Sequence, residues 1–339
     1  MRQRFGSARR LCACLAVVIT TLGAGGARAD EAAAPAPAPL AWDNPVVADD
    51  FPDPSATLVD GVYWATATSS ARAPGFPLLR STDLVHWQDI GSIFRRSPDW
   101  STGSLWAPEL VVEETGVRVY YTARRRDGRL CVAVASAPAP PGPYTDHGPL
   151  VCQPAGSIDP TEVHDAAGHP YLVWKEDGNA VGRPSRIWIK RLRRNGLGVI
   201  GPRRELLRNA DRWEGSVVEA PEIIARDGWL YLFYSGNTYG PPPACRYALG
   251  VARSRSVFGP WQRDPANPIL RSNRAWRCPG HASPVSDGAG RLFVMYHAYR
   301  AGDGVLAPRR ALLDAVTWGA DGWPQVNGGR GPSTSASVG

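Results

Sequence analysis

A glycine followed by a short aromatic run recurs five times in this chain. Gly61 leads VYWATA, Gly116 leads VRVYYTA, Gly168 leads HPYLVW, Gly228 leads WLYLFYS and Gly290 leads RLFVMYH, at steps of 55, 52, 60 and 62 residues. A proline precedes each glycine by six to eight residues: Pro54, Pro108, Pro160, Pro221 and Pro284. After each aromatic run comes a second short apolar run, such as LLRSTDLVHW or IWIKRLRRNG, whose apolar residues alternate with period two as half-buried strands require. A unit of this length with about four short strands is a propeller blade. Five units predict an all-β fold, a five-bladed β-propeller in one domain spanning 42–327. A β-sandwich has no reason to repeat its strand order five times. The 36 Gly, 32 Pro and 13 Trp suit a turn-rich β chain and exclude a coiled coil or a disordered polymer.

The ends of the chain read differently. Arg2, Arg4, Arg9 and Arg10 precede an apolar run from Leu11 to about Leu22, and Ala27-Arg28-Ala29 supplies small residues for cleavage. Residues 1–29 are therefore expected to be a secretory signal peptide, too short in its apolar run to span a membrane. The Ala/Pro stretch 30–41 is expected to be a linker, and 328–339, rich in Gly and Ser, a disordered tail. The formal charge of +7 falls to +2 once the five arginines of 1–29 are set aside. The clusters Arg124-Arg125-Arg126 and Arg191/Arg193/Arg194 read as solvated turns, so no nucleic-acid partner is expected, and no membrane once the signal is removed. Four cysteines remain after Cys12 and Cys14, an even number suited to an exported chain. Cys131–Cys152 and Cys245–Cys278 are the preferred pairs, because each closes a short local loop. The expected location is extracellular, and a monomer is the default, because blades close on one another.

The first strand of a blade lines the propeller axis, so residues at the start of each proline-marked segment converge there. They are Asp53 in FPDPS, Trp106 in LWAPEL, Asp159 in SIDPTEV, Glu219 in VEAPEI and His281 in PGHASP. Carboxylates gathered at one mouth push each other's proton affinities apart, and one ionised acid beside one protonated acid is the arrangement general base and general acid need. With a tryptophan to stack on a ring, glycoside hydrolysis is the chemistry to expect. Position alone leaves Glu109, Glu162 and Glu222 open as channel acids. A non-catalytic sugar-binding propeller would also use axial aromatics and acids, but has no need of three carboxylates together.

The ordered set NPVVADDFPDPS, LWAPEL, GSIDPTEVHD, VVEAPEI, LYLFYSG and VMYHAYR, followed by PRRALLDAVTWGADGWPQV, resembles glycoside hydrolase family 43, five-bladed propellers that degrade arabinan and xylan. The resemblance implies that Asp53 is the general base, Asp159 the acid that orients and tunes the proton donor, and Glu219, rather than Glu222, the general acid of an inverting mechanism. It also implies substrate contacts from Trp106 and Arg300. In some members a histidine matching His281 presents an axial Ca2+, and no organic cofactor is implied. The expected substrate is an arabinofuranosyl linkage of arabinan or arabinoxylan, as polysaccharide or oligosaccharide, with β-xylosidase activity the close rival. No β-sandwich of the kind appended to many xylosidase members follows the repeats, which leans the expectation toward arabinose.

Overall fold

The computed structural model describes residues 38–71, 74–113 and 116–339; the segment read as a signal peptide lies outside the described residues. Five four-stranded antiparallel sheets follow one another, each with its strands hydrogen-bonded in chain order. The innermost strands are Ser55–Val59, Trp106–Glu113, Ser157–His164, Val218–Arg226 and Trp276–Ser286. The second strands are Val62–Thr66, Gly116–Arg124, Pro170–Glu176, Trp229–Gly236 and Leu292–Arg300. These carry the five aromatic runs. Each repeat glycine stands at the turn into its second strand with positive φ, from 72° at Gly228 to 144° at Gly116. A side chain there would be strained, which explains why the repeat is led by glycine. The fold is the five-bladed β-propeller that the repeat implies.

The second strands depart from simple half-burial, because they are covered on both faces. Tyr121 packs toward blade one, with Trp64 and Phe76, whereas its neighbour Tyr120 packs toward blade three, with Leu172 and Trp174. In blade four Leu232 and Tyr234 join Val173 and Ile187 of blade three, while Tyr231 and Phe233 join Val294 and Tyr296 of blade five. Blades stack face to face, so a strand in the middle of a blade has no solvent side. Burying each such side chain contributes about 1.5–3 kcal/mol.

Blade five closes on blade one through a core that joins Ala56, Tyr63 and Ala65 to Phe293, Met295 and Leu313. Both ends of the described span strap this seam, which corrects the boundaries drawn from composition there. Leu40–Asp43 pairs antiparallel with Ser335–Val338, so the end of the supposed linker and the supposed disordered tail form a two-stranded sheet. Trp42 Nε1 donates to the Leu313 carbonyl at 2.7 Å, and Asn44 exchanges hydrogen bonds with the Leu313 main chain at 2.9 Å. Composition weighed only the tail's small side chains. Its order comes from main-chain partners far away in sequence.

Both cysteine pairs form as expected, Cys131 with Cys152 and Cys245 with Cys278. Among the described residues no helix is long and apolar enough to cross a membrane.

Candidate active site

Each blade approaches the axis through the same backbone device. Asp53, Ala107, Asp159, Ala220 and His281 all have φ between 42° and 53°, a left-handed conformation that non-glycine residues seldom adopt. In blades two to five this residue sits in a register shift between the first and second strands. A bulge of this kind re-aims side chains, here toward the propeller mouth. The register also refines the proline marker. Asp53, Asp159 and His281 occupy the left-handed position itself, whereas Trp106 and Glu219 stand one residue before it. Blade five has Ala282 where the other blades have proline, and its Pro284 lies two residues further on.

The amide of each left-handed residue needs an acceptor, and four blades supply one from the same place in, or just past, the preceding blade's second strand. Thr68 Oγ1 accepts from Ala107 at 2.8 Å, Thr122 Oγ1 from Asp159 at 3.1 Å, Ser235 Oγ from His281 at 2.8 Å, and His297 Nδ1 from Asp53 at 3.1 Å. Blade three carries Lys175 at this place, opposite Ile158 as Thr122 is opposite Trp106. The Ala220 amide instead donates to Asp159 Oδ2 at 3.0 Å.

Asp53, Asp159 and Glu219 line one cavity of about 760 Å³, together with Trp106, His281, Lys175 and Arg309. Around Asp53, Thr68 Oγ1 donates to Oδ2 at 2.7 Å and Arg309 Nη1 donates to Oδ1 at 2.9 Å. Burial alone would raise the Asp53 proton affinity. Arg309 and then His281 outweigh it and hold the carboxyl well below the usual carboxylate range. Burial lowers His297 to about 4, so its ring is neutral at neutral pH and free to accept the Asp53 amide at Nδ1. Asp53 is thus an ionised carboxylate with fixed orientation, as a general base must be.

Asp159 has the opposite character. Burial, with the nearby negative charge of Glu219 adding to it, pushes its carboxyl up to about 7 despite His281. Glu219 accepts from Tyr247 Oη at 2.7 Å on Oε1 and from Lys175 Nζ at 2.6 Å on Oε2. Burial keeps the Tyr247 hydroxyl protonated and therefore a donor. The site holds one firmly ionised acid and one acid with raised proton affinity beside a third that two donors orient. That set can run paired acid and base chemistry.

Trp106 is half-buried and lines the cavity, and the Arg124 guanidinium lies 5.9 Å from its ring centroid. Arg300 is not brought to the site. It is exposed at the end of its strand, with its guanidinium 5.6 Å from the Trp276 ring, and it does not line the cavity. The arginine that lines the cavity is Arg309, nine residues further on. The other candidate acids also separate. Glu109 and Glu222 hydrogen-bond each other, beside Ser55 and Thr161, and line no part of the cavity. Burial raises both. Glu162 is bound by Arg118 at 2.9 Å and by Tyr120 at 2.6 Å.

The expected calcium finds a poor donor set. His281 Nδ1 lies 3.3 Å from Asp53 Oδ1, an oxygen that Arg309 already contacts. Among the described residues no three His, Cys, Asp or Glu side chains converge as metal ligands. Calcium prefers six to eight oxygens, so one imidazole does not make its site. These residues do not fit a calcium centre by themselves.

A family model, Glycosyl hydrolases family 43, matches residues 42–324. The chain belongs to this family. Among similar family-43 proteins, a "Xylosidase/arabinosidase" of Butyrivibrio fibrisolvens is 29% identical over 86% of this chain and 57% of its own length. An extracellular exo-α-(1→5)-L-arabinofuranosidase of Cellvibrio japonicus is 24% identical over 82% of this chain and 86% of its own. The chain spans a little over half the length of several curated relatives it matches. Among solved structures, a thermostable family-43 glycoside hydrolase superposes with a TM-score of 0.77 at 28% identity, over 86% of this chain and 97% of the other.

For this family-43 chain, sequence reasoning missed Arg309, Lys175, Tyr247, Thr68 and His297. A signal existed for three of these. Thr68, Lys175 and His297 each stand seven residues after a repeat glycine, as does Ser235. Arg309 and Tyr247 follow loops of irregular length, and no repeat marks them.

Proposed function

We propose that the protein is an inverting glycoside hydrolase that releases α-L-arabinofuranosyl units from arabinan or arabinoxylan. Asp53 takes a proton from water, and the water oxygen attacks the anomeric carbon. The bond to the leaving oxygen breaks, its electron pair stays on that oxygen, and Glu219 delivers the proton that neutralises it. Asp159 keeps negative charge beside Glu219 low and fixes the Ala220 amide next to it. Trp106 stacks on a sugar ring.

The observation that carries this reading is the contrast between Asp53 and Asp159 within one cavity, one carboxyl held low by Arg309 and the other pushed up by burial. The choice of sugar leans on relatives named arabinofuranosidase and arabinanase. Others are named xylosidase, which keeps xylose as the second reading. Export rests on the composition of residues 1–29 and suits two disulfides. A monomer suits blades that close on one another.

The test is to incubate the protein and its Glu219→Ala variant with arabinan, arabinoxylan and xylo-oligosaccharides and identify the sugars released. Arabinose from the parent alone supports the reading. Xylose alone moves it to β-xylosidase. Binding without release from any substrate makes it a sugar-binding propeller.

A further inference from the structure

Lys175 breaks a rule that the other four blades obey. Thr68, Thr122, Ser235 and His297 each accept the amide of the next blade's left-handed residue. An ammonium group has no lone pair and cannot. The exception falls at the blade junction that separates Asp159 from Glu219. Its cost is visible in the rerouted Ala220 amide, which takes up one oxygen of Asp159. Lys175 is also only 1% exposed, and a buried ammonium is tolerated only where carboxylates pair with it. It has two such partners, Glu219 Oε2 at 2.6 Å and Asp177 Oδ1 at 2.9 Å.

We propose that Lys175 is a positioning residue for the proton donor, stabilising the negative charge that grows on Glu219 as its proton passes to the leaving oxygen. The proposal rests on reading Glu219 as the general acid. In the protonated form that donates, Glu219 is neutral, and Asp177 keeps the ammonium paired. As the O–H bond of Glu219 breaks and the proton joins the leaving oxygen, the charge left behind appears 2.6 Å from Nζ. Lys175 keeps its own proton throughout. A contact stronger in the transition state than in the ground state accelerates the step. Asp177 sets how much of the ammonium's field Glu219 receives. Tyr247, on the other oxygen, supplies direction without charge.

Leaving groups then discriminate a chemical role from a structural one. The parent, Lys175→Met, Asp177→Asn and Glu219→Ala are compared on an unactivated oligosaccharide and on the 4-nitrophenyl glycoside of the same sugar, which departs with little protonation. Lys175→Met is expected to lose about 100-fold in kcat/KM on the oligosaccharide, within the range of general acid catalysis, and at most about 3-fold on the aryl glycoside. The basic limb of its pH profile moves to higher pH, because Glu219 gives up its proton less readily. Asp177→Asn leaves the ammonium to Glu219 alone and moves that limb to lower pH. Equal losses on both substrates with an unmoved basic limb would make Lys175 structural and overturn the proposal. Should Lys175→Met not fold, the direction of the Asp177→Asn shift decides alone, and a shift to higher pH or none overturns it. Full activity of Glu219→Ala on the oligosaccharide would instead remove the acid assignment itself, a failure distinct from that of Lys175.

Discussion

Asp53 and Arg309 lie 256 residues apart in the chain and meet at 2.9 Å, Nη1 to Oδ1. One follows the strand that straps the seam, and the other directly precedes Arg310–Trp318, the third strand of blade five. Their contact therefore exists only when the propeller is closed. Arg309→Met is expected to lift the Asp53 carboxyl, and the general-base role proposed for Asp53 requires its ionised form. The acidic limb of kcat/KM should then move to higher pH by on the order of one to two units. Arg309→Lys restores most of the shift. The same pairing adds stability that is present above the unfolded carboxylate range and lost as pH falls below it. A pH–rate profile of the two variants checks the first part, and acid denaturation the second.

Trp106 and Arg300 were expected to share a role and do not share a place. Trp106→Ala should raise KM about 10-fold through lost stacking, a loss of about 1–1.5 kcal/mol. Arg300→Ala should leave kcat/KM within about 2-fold. Steady-state kinetics on an oligosaccharide separates them.

Glu109 and Glu222 hydrogen-bond each other away from the cavity, and burial pushes Glu109 up to about 7 and Glu222 up as well. Folding therefore favours their protonated forms. In the unfolded chain both ionise near pH 4, so the folded protein loses stability as pH rises from about 4 to about 7. The Glu109→Gln, Glu222→Gln double variant lacks this titration. Its Tm should vary less between pH 4.5 and 7.5 than that of the parent, and thermal melts across that interval provide the comparison.

Cys245 precedes Tyr247 by two residues, and Cys278 precedes His281 by three, so their bond holds a donor to Glu219 against the blade that carries His281. Opening a 33-residue loop is worth about 3–4 kcal/mol by loop-closure entropy. Cys245→Ala, Cys278→Ala should therefore lower Tm by roughly 5–6 °C and lower kcat more than KM. Calorimetry and kinetics on the same preparation test both effects.

Much of this was legible in the sequence because the repeat is periodic. Evenly spaced glycines gave the blade count, and the prolines brought Asp53, Asp159, Glu219, Trp106 and His281 to one mouth. What escaped is what periodicity does not encode. Arg300 was implied as a substrate contact by the family resemblance, yet the guanidinium that reaches Asp53 comes from Arg309, across a loop. Lys175 fell in the repeat, but its meaning lay in differing from Thr122, Ser235 and His297, a contrast visible only once the amides they accept were known. The tail beyond Gly328 has a disordered composition and folds because Leu40–Asp43 offers it a strand to pair with.

The most direct test of the central claim, that Asp53 and Glu219 act on opposite faces of the sugar, is the anomeric configuration of the first product. Proton NMR would follow hydrolysis of an α-L-arabinofuranosyl oligosaccharide, read before mutarotation equilibrates the sugar. β-Arabinose is expected as the first anomer to appear. An α anomer appearing first would mean retention through a covalent intermediate and would contradict the roles given to both residues.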